Sequence, residues 1–99
     1  MTIRFDDKVA IVTGAGGGLG KQHALEFARR GAKVVVNDLG GAVDGSGGAS
    51  DAANAVVEEI KAEGGEAISN GSSVADKAGV SKMIEETMEK WGRIDILVN

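Results

Sequence analysis

Two hydrophobic periods alternate along this chain, which predicts strands separated by helices. A short apolar run at residues 9–12 ends at a cluster of glycines, and residues 19–30 then follow a helical pattern that ends at Gly31. The predicted inward stripe of this helix contains Leu19, His23, Ala24, Phe27 and Ala28. Residues 33–38 form the second predicted strand, so the first part of the chain reads strand, helix, strand.

The same order continues in the second half of the chain. Residues 51–63 predict a helix with Ser50 as its N-cap, and residues 66–70 predict a short third strand. The apolar stripe of that helix contains Ala53, Val56, Val57 and Ile60. A third, clearly amphipathic helix carries Val80, Met83, Ile84, Thr87, Met88 and Trp91 at helical spacing. Gly92 ends it, and residues 93–99 predict the fourth strand.

This alternation indicates an α/β fold with a parallel sheet and crossover connections. Right-handed crossovers give the strand order 3-2-1-4, with the first two helices on one face of the sheet and the third helix on the other. The predicted fold class is therefore a Rossmann-like doubly wound parallel sheet, of which residues 1–99 would be the N-terminal half only. A ligand is expected at the carboxyl ends of strands one and four, where the winding reverses.

The turn after the first strand is rich in glycine and reads T-G-A-G-G-G-L-G over residues 13–20. Glycines allow backbone approaches that a Cβ would block, and the helix that begins near Leu19 points its positive dipole end at the turn. The segment therefore predicts a pyrophosphate-binding turn. A nucleotide-hydrolysing P-loop is excluded, because Ala15 and Gln22 stand where that motif needs a glycine and a hydroxyl. The G-x-G-x-x-G pattern fails as well.

Asp38 ends the second strand about 20 residues after the turn, the spacing of a ribose-binding acid. A carboxylate accepts hydrogen bonds from both ribose hydroxyls but repels a 2′-phosphate. No lysine or arginine occurs in residues 34–60 to neutralise such a phosphate. The predicted cofactor is therefore NAD rather than NADP. The alternative is that Asp38 only caps or solvates a loop.

With T-G-x-x-x-G-x-G followed by Asp38, the chain resembles the nucleotide-binding half of a short-chain dehydrogenase/reductase. The resemblance places cofactor contacts at Gly14, Gly17, Gly18, Leu19, Gly20, Asp38, Leu39, Ser73 and Val74. Within that family, the run N-D-L-G-G at residues 37–41 and the pair Ser73 and Val74 are similar to the (3R)-hydroxyacyl-CoA dehydrogenase part of peroxisomal multifunctional β-oxidation enzymes and their bacterial relatives. By composition alone, residues 39–50 predict a mobile loop.

The resemblance implies NAD-dependent oxidation of a secondary alcohol, with a 3-hydroxyacyl-CoA as the favoured substrate and a homo-oligomer as the full-length form. The family's catalytic serine, tyrosine and lysine would lie beyond Asn99, and the chain contains no tyrosine, so no catalytic residue is assigned. Asn99 itself is expected to brace the fourth strand. Residues 1–99 are thus predicted to be an NAD-binding half-domain without the catalytic half. A non-catalytic dinucleotide-binding module is the alternative.

Composition narrows the remaining partners. A formal net charge of −4 and an aromatic content of 3% argue against nucleic acid as a partner. The absence of cysteine and the presence of a single histidine, His23, argue against a metal site. No apolar run reaches transmembrane length and the start of the chain does not resemble a signal peptide, so no membrane partner and a cytoplasmic location are expected.

The predicted sheet also has consequences for stability. Its fourth strand would present an apolar edge, and one of its faces would be covered by a single helix. We therefore expect the 99-residue chain on its own to be poorly stable or to self-associate.

Overall fold

The computed structural model describes residues 4–38, 51–71 and 77–98, which form a parallel sheet flanked by helices. The elements in chain order are β1 (Val9–Thr13), α1 (Gly18–Arg29), β2 (Lys33–Asn37), α2 (Asp51–Ala62), β3 (Ala67–Asn70), α3 (Lys77–Trp91) and β4 (Ile96–Val98). Most bounds agree with the sequence predictions to within one or two residues, but β4 begins three residues later than predicted. Ser50 lies outside the described residues, so its predicted capping role is not described.

The strand order is β3-β2-β1-β4, as predicted, and all pairs are parallel. Val12 of β1 lies beside Val36 of β2 and beside Val98 of β4. Asn37 at the end of β2 lies beside Asn70 at the end of β3. The register therefore brings the residues that follow β1, β2 and β3 to one edge of the sheet, where ligands bind in open α/β folds.

The central strands β1 and β2 are buried on both faces of the sheet, and their side chains alternate between the two faces. On one face, Val12, Val34 and Val36 pack against α1 and α2, with Ala24, Val56 and Ile60 among the buried residues of the helices. On the other face, Ile11 and Val35 pack against Met83 of α3, with Ile68, Trp91 and Ile94 beside them. The predicted distribution of helices, two on one face and one on the other, is confirmed.

The inward face of α1 differs from the prediction. Ala24 and Leu25 are buried and Phe27 and Ala28 are half-buried, but Leu19 is 72% exposed and His23 is also exposed. Periodicity had placed His23 on the inward stripe. A shift of one residue rotates a helix face by about 100°, and contact with α2 and the sheet selects Leu25 instead of His23.

Part of the apolar surface of α3 and β4 stays accessible. Met83 and Thr87 are buried, whereas Ile84 and Met88 are 42% and 45% exposed. The Thr87 hydroxyl donates to the Met83 carbonyl at 2.8 Å, which satisfies this polar group inside the core. On β4, Leu97 is 58% exposed. It pairs with Ile11 and so projects from the same face as α3.

Polar contacts hold β4 against the start of β1. Asp95 Oδ2 accepts a hydrogen bond from the Val9 N–H at 2.9 Å, and the Asp95 N–H donates to the Val9 carbonyl at 2.9 Å. The Arg93 guanidinium makes two hydrogen bonds of 2.8 Å to the same carboxylate. Bonds from Arg93 and from the Val9 N–H lower the pKa of Asp95 to about 2. Arg93 and Asp95 therefore lie outside β4 and fix the start of this strand against β1.

Candidate functional site

The glycine-rich turn lies at the carboxyl end of β1 and leads into α1. Ala15 within it is buried, and its N–H donates to the carbonyl of Asn37 at 2.9 Å, which fixes the turn against the end of β2. Gly14 and Gly18 have φ values of +62° and +56°, a conformation that favours glycine. No atom lies within 4 Å of the place where a Cβ would stand at Gly14, Gly17 or Gly18. The space over the turn is therefore open for a ligand.

The first turn of α1 presses against this glycine segment. A Cβ at Gly20 would lie 2.8 Å from the carbonyl carbon of Gly14 and even closer to its oxygen, so only glycine fits there. The N-cap residue Gly17 makes no side-chain capping bond, and the first turn contains no acidic residue. The N–H groups at this helix end lack intrahelical acceptors. Together with the helix dipole, they fit the diphosphate of a dinucleotide.

Asp38 lies directly beside the turn. Its N–H donates to the carbonyl of Asn70 at 3.0 Å. Its carboxyl carbon lies 2.8 Å from the place of a Cβ on Gly16, and its Oδ2 is closer still. The same position is 3.0 Å from the Cβ of Ala52 in α2. The Asp38 carboxylate therefore occupies the space that a side chain at residue 16 would need.

The sequence did not single out Gly16, because its neighbour Asp38 is distant along the chain. The other glycines of the turn fit a local pattern, whereas the role of Gly16 depends on how β1 and β2 pair. A glycine at that position in the run was the only available signal, and it was indistinguishable from its neighbours.

Two buried asparagines behind Asp38 were also missed. Asn37 and Asn70 are 3% and 6% exposed, and Asn37 Nδ2 donates to Asn70 Oδ1 at 2.8 Å. Asn70 Nδ2 donates in turn to Glu86 Oε2 of α3 at 3.1 Å. Polar residues at the end of two apolar strands were a signal that these side chains face one another, because parallel strands end at the same edge.

The predicted site residues fall into two groups. Gly14, Gly17, Gly18, Leu19, Gly20 and Asp38 lie together at the carboxyl edge of the sheet. The remaining predicted contacts, Leu39, Ser73 and Val74, lie outside the described residues, as does Asn99. The turn and the acid are therefore brought together, and the predicted adenine side stays a prediction.

A cavity of about 510 Å³ lies at the opposite, amino-terminal edge of the strands. Charged side chains line much of it, including Arg4 and Arg29. These form ion pairs with Asp6 at 2.8 Å and with Glu63 at 3.1 Å. Because the cavity lies far from Asp38 along the strands and its arginines are already paired, it does not extend the candidate site.

In the ranges 4–38, 51–71 and 77–98, no group of three histidine, aspartate or glutamate side chains is arranged to hold a metal ion. Among the helices that the structure describes, none combines the length and apolar character needed to cross a bilayer.

Comparison with known proteins links this geometry to one family. A family model described as short chain dehydrogenase matches residues 8–99. Peroxisomal multifunctional enzyme A of Dictyostelium discoideum is 59% identical over 99 residues, which are 100% of this chain and 22% of that protein. The chain thus spans about a fifth of the length of this relative.

Solved structures agree with the fold. A crystal structure of a short chain dehydrogenase from Mycobacterium avium has a TM-score of 0.88 and 52% identity, covering 100% of this chain and 35% of that one. A 7α-hydroxysteroid dehydrogenase complexed with NADH and 7-oxo glycochenodeoxycholic acid has a TM-score of 0.86 and 41% identity, covering 98% of this chain and 34% of that one.

The relatives correct the expected location. Five of them, 53–59% identical to this chain, are named peroxisomal enzymes, so the expectation of a cytoplasmic protein is wrong and the relatives point to the peroxisome instead. The physical reason is that a peroxisomal address can be a short receptor-read sequence at the far C-terminus of a protein. The composition of a folded domain does not encode it.

Proposed function

The chain belongs to the short-chain dehydrogenase family, and from that premise we propose that residues 1–99 are the NAD-binding half-domain of an oxidoreductase that oxidises a secondary alcohol to a ketone. The observation that carries this proposal is the contact between the Asp38 carboxylate and Gly16, which sets an acid beside an anion-binding turn. That pairing matches the two ends of an adenosine diphosphate group, the ribose and the diphosphate.

In this proposal, the glycine turn and Asp38 bind different parts of NAD. The diphosphate accepts hydrogen bonds from backbone N–H groups at Gly17, Gly18, Leu19 and Gly20, where α1 begins. Asp38 accepts hydrogen bonds from the ribose hydroxyls. Leu39, Ser73 and Val74 are proposed to lie along the adenosine. When bound, NAD supplies the hydride acceptor, and the half-domain fixes its position.

Charge supports NAD over NADP. At about 4 Å and an effective dielectric constant near 20, a 2′-phosphate charge and the Asp38 carboxylate would repel by at most about 4 kcal/mol. Residues 34–60 contain no lysine or arginine to offset that repulsion. The 7α-hydroxysteroid dehydrogenase of similar structure was solved with NADH, which supports a nicotinamide dinucleotide as the cofactor.

We further propose a 3-hydroxyacyl-CoA as the substrate. The support is similarity to multifunctional enzymes, one of which, at 54% identity, is named a hydratase-dehydrogenase-epimerase. The 41% identical 7α-hydroxysteroid dehydrogenase represents a second substrate class. A non-catalytic dinucleotide-binding module is the other candidate, because the glycine turn and Asp38 account for dinucleotide binding without a catalytic step.

The test uses the full-length protein and measures dissociation constants for NAD and NADP by calorimetry. We expect NAD to bind more tightly. Asp38→Ala removes hydrogen bonds to a charged group, so NAD affinity falls about tenfold or more while NADP affinity changes much less. Asp6→Ala, which alters an exposed aspartate at the opposite edge of the sheet, should leave the ratio of the NAD and NADP dissociation constants unchanged.

Equal affinity for the two dinucleotides in the unmutated protein would contradict the assignment of Asp38. Turnover of a 3-hydroxyacyl-CoA and of a 7α-hydroxysteroid with NAD then separates the two substrate classes. Binding of NAD without turnover of any alcohol would favour the non-catalytic module.

A further inference from the structure

A chain of side-chain hydrogen bonds connects α3 to the end of β2 behind the candidate site. It runs from Glu86 Oε2 to Asn70 Nδ2 at 3.1 Å, and from Asn70 Oδ1 to Asn37 Nδ2 at 2.8 Å. Both asparagines are buried, and Glu86 is half-buried. Buried amides are costly to leave without partners, so these bonds constrain how the three side chains are oriented.

Glu86 determines which way the Asn70 amide points. An ionised carboxylate only accepts hydrogen bonds, so the NH₂ group of Asn70 must face Glu86. Its carbonyl oxygen is then left to accept from Asn37. Without the carboxylate, the Asn70 amide can turn its NH₂ group toward the NH₂ group of Asn37. The side-chain hydrogen bond between these two asparagines, which connects β2 to β3, is then lost.

The same asparagines hold the backbone around Asp38. The Asn70 carbonyl accepts the Asp38 N–H at 3.0 Å and is also 3.4 Å from Asn37 Nδ2. The Asn37 carbonyl accepts the Ala15 N–H at 2.9 Å. Asn37 therefore ties the peptide that precedes Asp38 to the glycine turn on one side and to β3 on the other.

We infer that Glu86 and Asn70 are positioning residues for cofactor selection, acting through Asn37 to hold the Asp38 carboxylate against Gly16. This inference rests on the proposed function, in which Asp38 binds the ribose. It assigns a role in dinucleotide discrimination to α3, which lies on the other face of the sheet from α1 and α2. A carboxylate that is free to move binds both ribose hydroxyls less well and also avoids a 2′-phosphate more easily.

The experiment measures NAD and NADP dissociation constants in the full-length protein. Glu86→Ala should weaken NAD binding about five- to tenfold, while NADP binding changes less than about twofold. This is less than the roughly 10- to 150-fold cost of losing a direct hydrogen bond to a charged group, because Glu86 acts on Asp38 only through Asn70 and Asn37. Glu85→Ala, the same substitution at the exposed neighbouring position on α3, should change neither constant. Glu86→Gln should restore the parent ratio, because its amide oxygen accepts the same bond from Asn70.

A swap of donor and acceptor gives a second test if Glu86→Ala folds poorly. Asn70→Asp places two carboxylates together and should reduce the preference for NAD over NADP, measured as the ratio of the two dissociation constants. Asn70→Asp combined with Glu86→Gln should restore that preference, because the glutamine NH₂ group donates to the new carboxylate. Equal weakening of both dinucleotides, in step with a lower melting temperature, would overturn the inference because a purely structural role predicts that result.

Failure of this inference and failure of the proposed function have different signatures. If Asp38→Ala narrows the ratio but Glu86→Ala and Asn70→Asp do not, only the positioning role is overturned. If Asp38→Ala leaves the ratio unchanged, Asp38 does not select the dinucleotide, and the proposed function and the positioning role are both overturned.

Discussion

Close backbone contact explains why Gly20 cannot carry a side chain. A Cβ there would collide with the carbonyl group of Gly14, and both atoms belong to backbone that cannot easily move. The contact sets the distance between the end of β1 and the first turn of α1. It therefore also sets where the free N–H groups of the helix point.

Gly20→Ala should destabilise the protein by about 1–3 kcal/mol, the usual cost of overpacking, and should weaken dinucleotide binding because α1 must shift. Gly17→Ala is the matched control for stability, since no atom lies within 4 Å of its added Cβ and its φ of −168° suits any residue. Chemical denaturation of both variants checks this. A loss at Gly17 as large as that at Gly20 would contradict the steric explanation.

For single residues, the sequence predicted those whose roles follow from their position directly after a predicted strand. The glycine pattern and Asp38 were found because each follows a predicted strand at a recognisable spacing. The Asn37 and Asn70 pair was missed because its members are 33 residues apart, and the bond from Asn70 to Glu86 spans 16 residues. Such contacts depend on strand register and helix placement, which periodicity does not fix.

At the scale of the elements, the position of β4 beside β1 depends on the contacts that Asp95 makes with Val9 and with Arg93. The Asp95 carboxylate accepts the hydrogen bond from the Val9 N–H well only when it is ionised. The pKa of Asp95 in the folded protein is about 2, against an ordinary value of 3.8. The unfolded chain therefore binds this proton more tightly than the folded chain. The stabilisation from Asp95 is fully present above about pH 4 and is lost as the pH falls through about 2.

Denaturant unfolding of the parent protein and of Asp95→Asn, from about pH 6 to about pH 2, tests this linkage. The stability difference between them should shrink as the pH falls, because asparagine does not titrate. Arg93→Gln removes the strongest cause of the lowered pKa, so the pKa of Asp95 in the folded variant lies closer to 3.8 and the variant should lose less stability than the parent over this pH range. A difference that stays constant across the range would contradict this account of Asp95.

Element existence and order were predictable from the sequence, but the phase of a helix face was not. The stripe of α2 was correct because four strongly apolar side chains share one face. In α1 the apolar signal is weaker, since small and polar residues are interspersed, and the predicted inward position of His23 was wrong. The packing partner decided between two nearly equivalent faces.

For the molecule as a whole, one side of the sheet carries accessible apolar surface. Ile84, Met88 and Leu97 are exposed, and Leu97 lies on β4, the outermost strand on its side of the sheet in the part of the chain described. The handedness of crossovers made the strand order predictable. The extent of this exposed surface was less predictable, because it depends on where α3 lies over the strands.

The 99-residue chain produced alone should self-associate through this surface. Sedimentation velocity at several concentrations measures the association, and Leu97→Glu should reduce it. Leu19→Glu, which alters an isolated leucine that is 72% exposed on α1, should leave it unchanged. A concentration-independent monomer with a sharp thermal transition would contradict the prediction.

Trp91 at the end of α3 is the sole tryptophan in the sequence. Its indole Nε1 donates to Glu66 Oε2 at 3.2 Å, and its ring packs beside Ile11, Val35 and Met83. In the 99-residue chain, intrinsic fluorescence therefore has one source, located at the amino-terminal edge of the sheet. A red shift of its emission would report that α3 has separated from the strands, which gives the helix its own optical signal during unfolding.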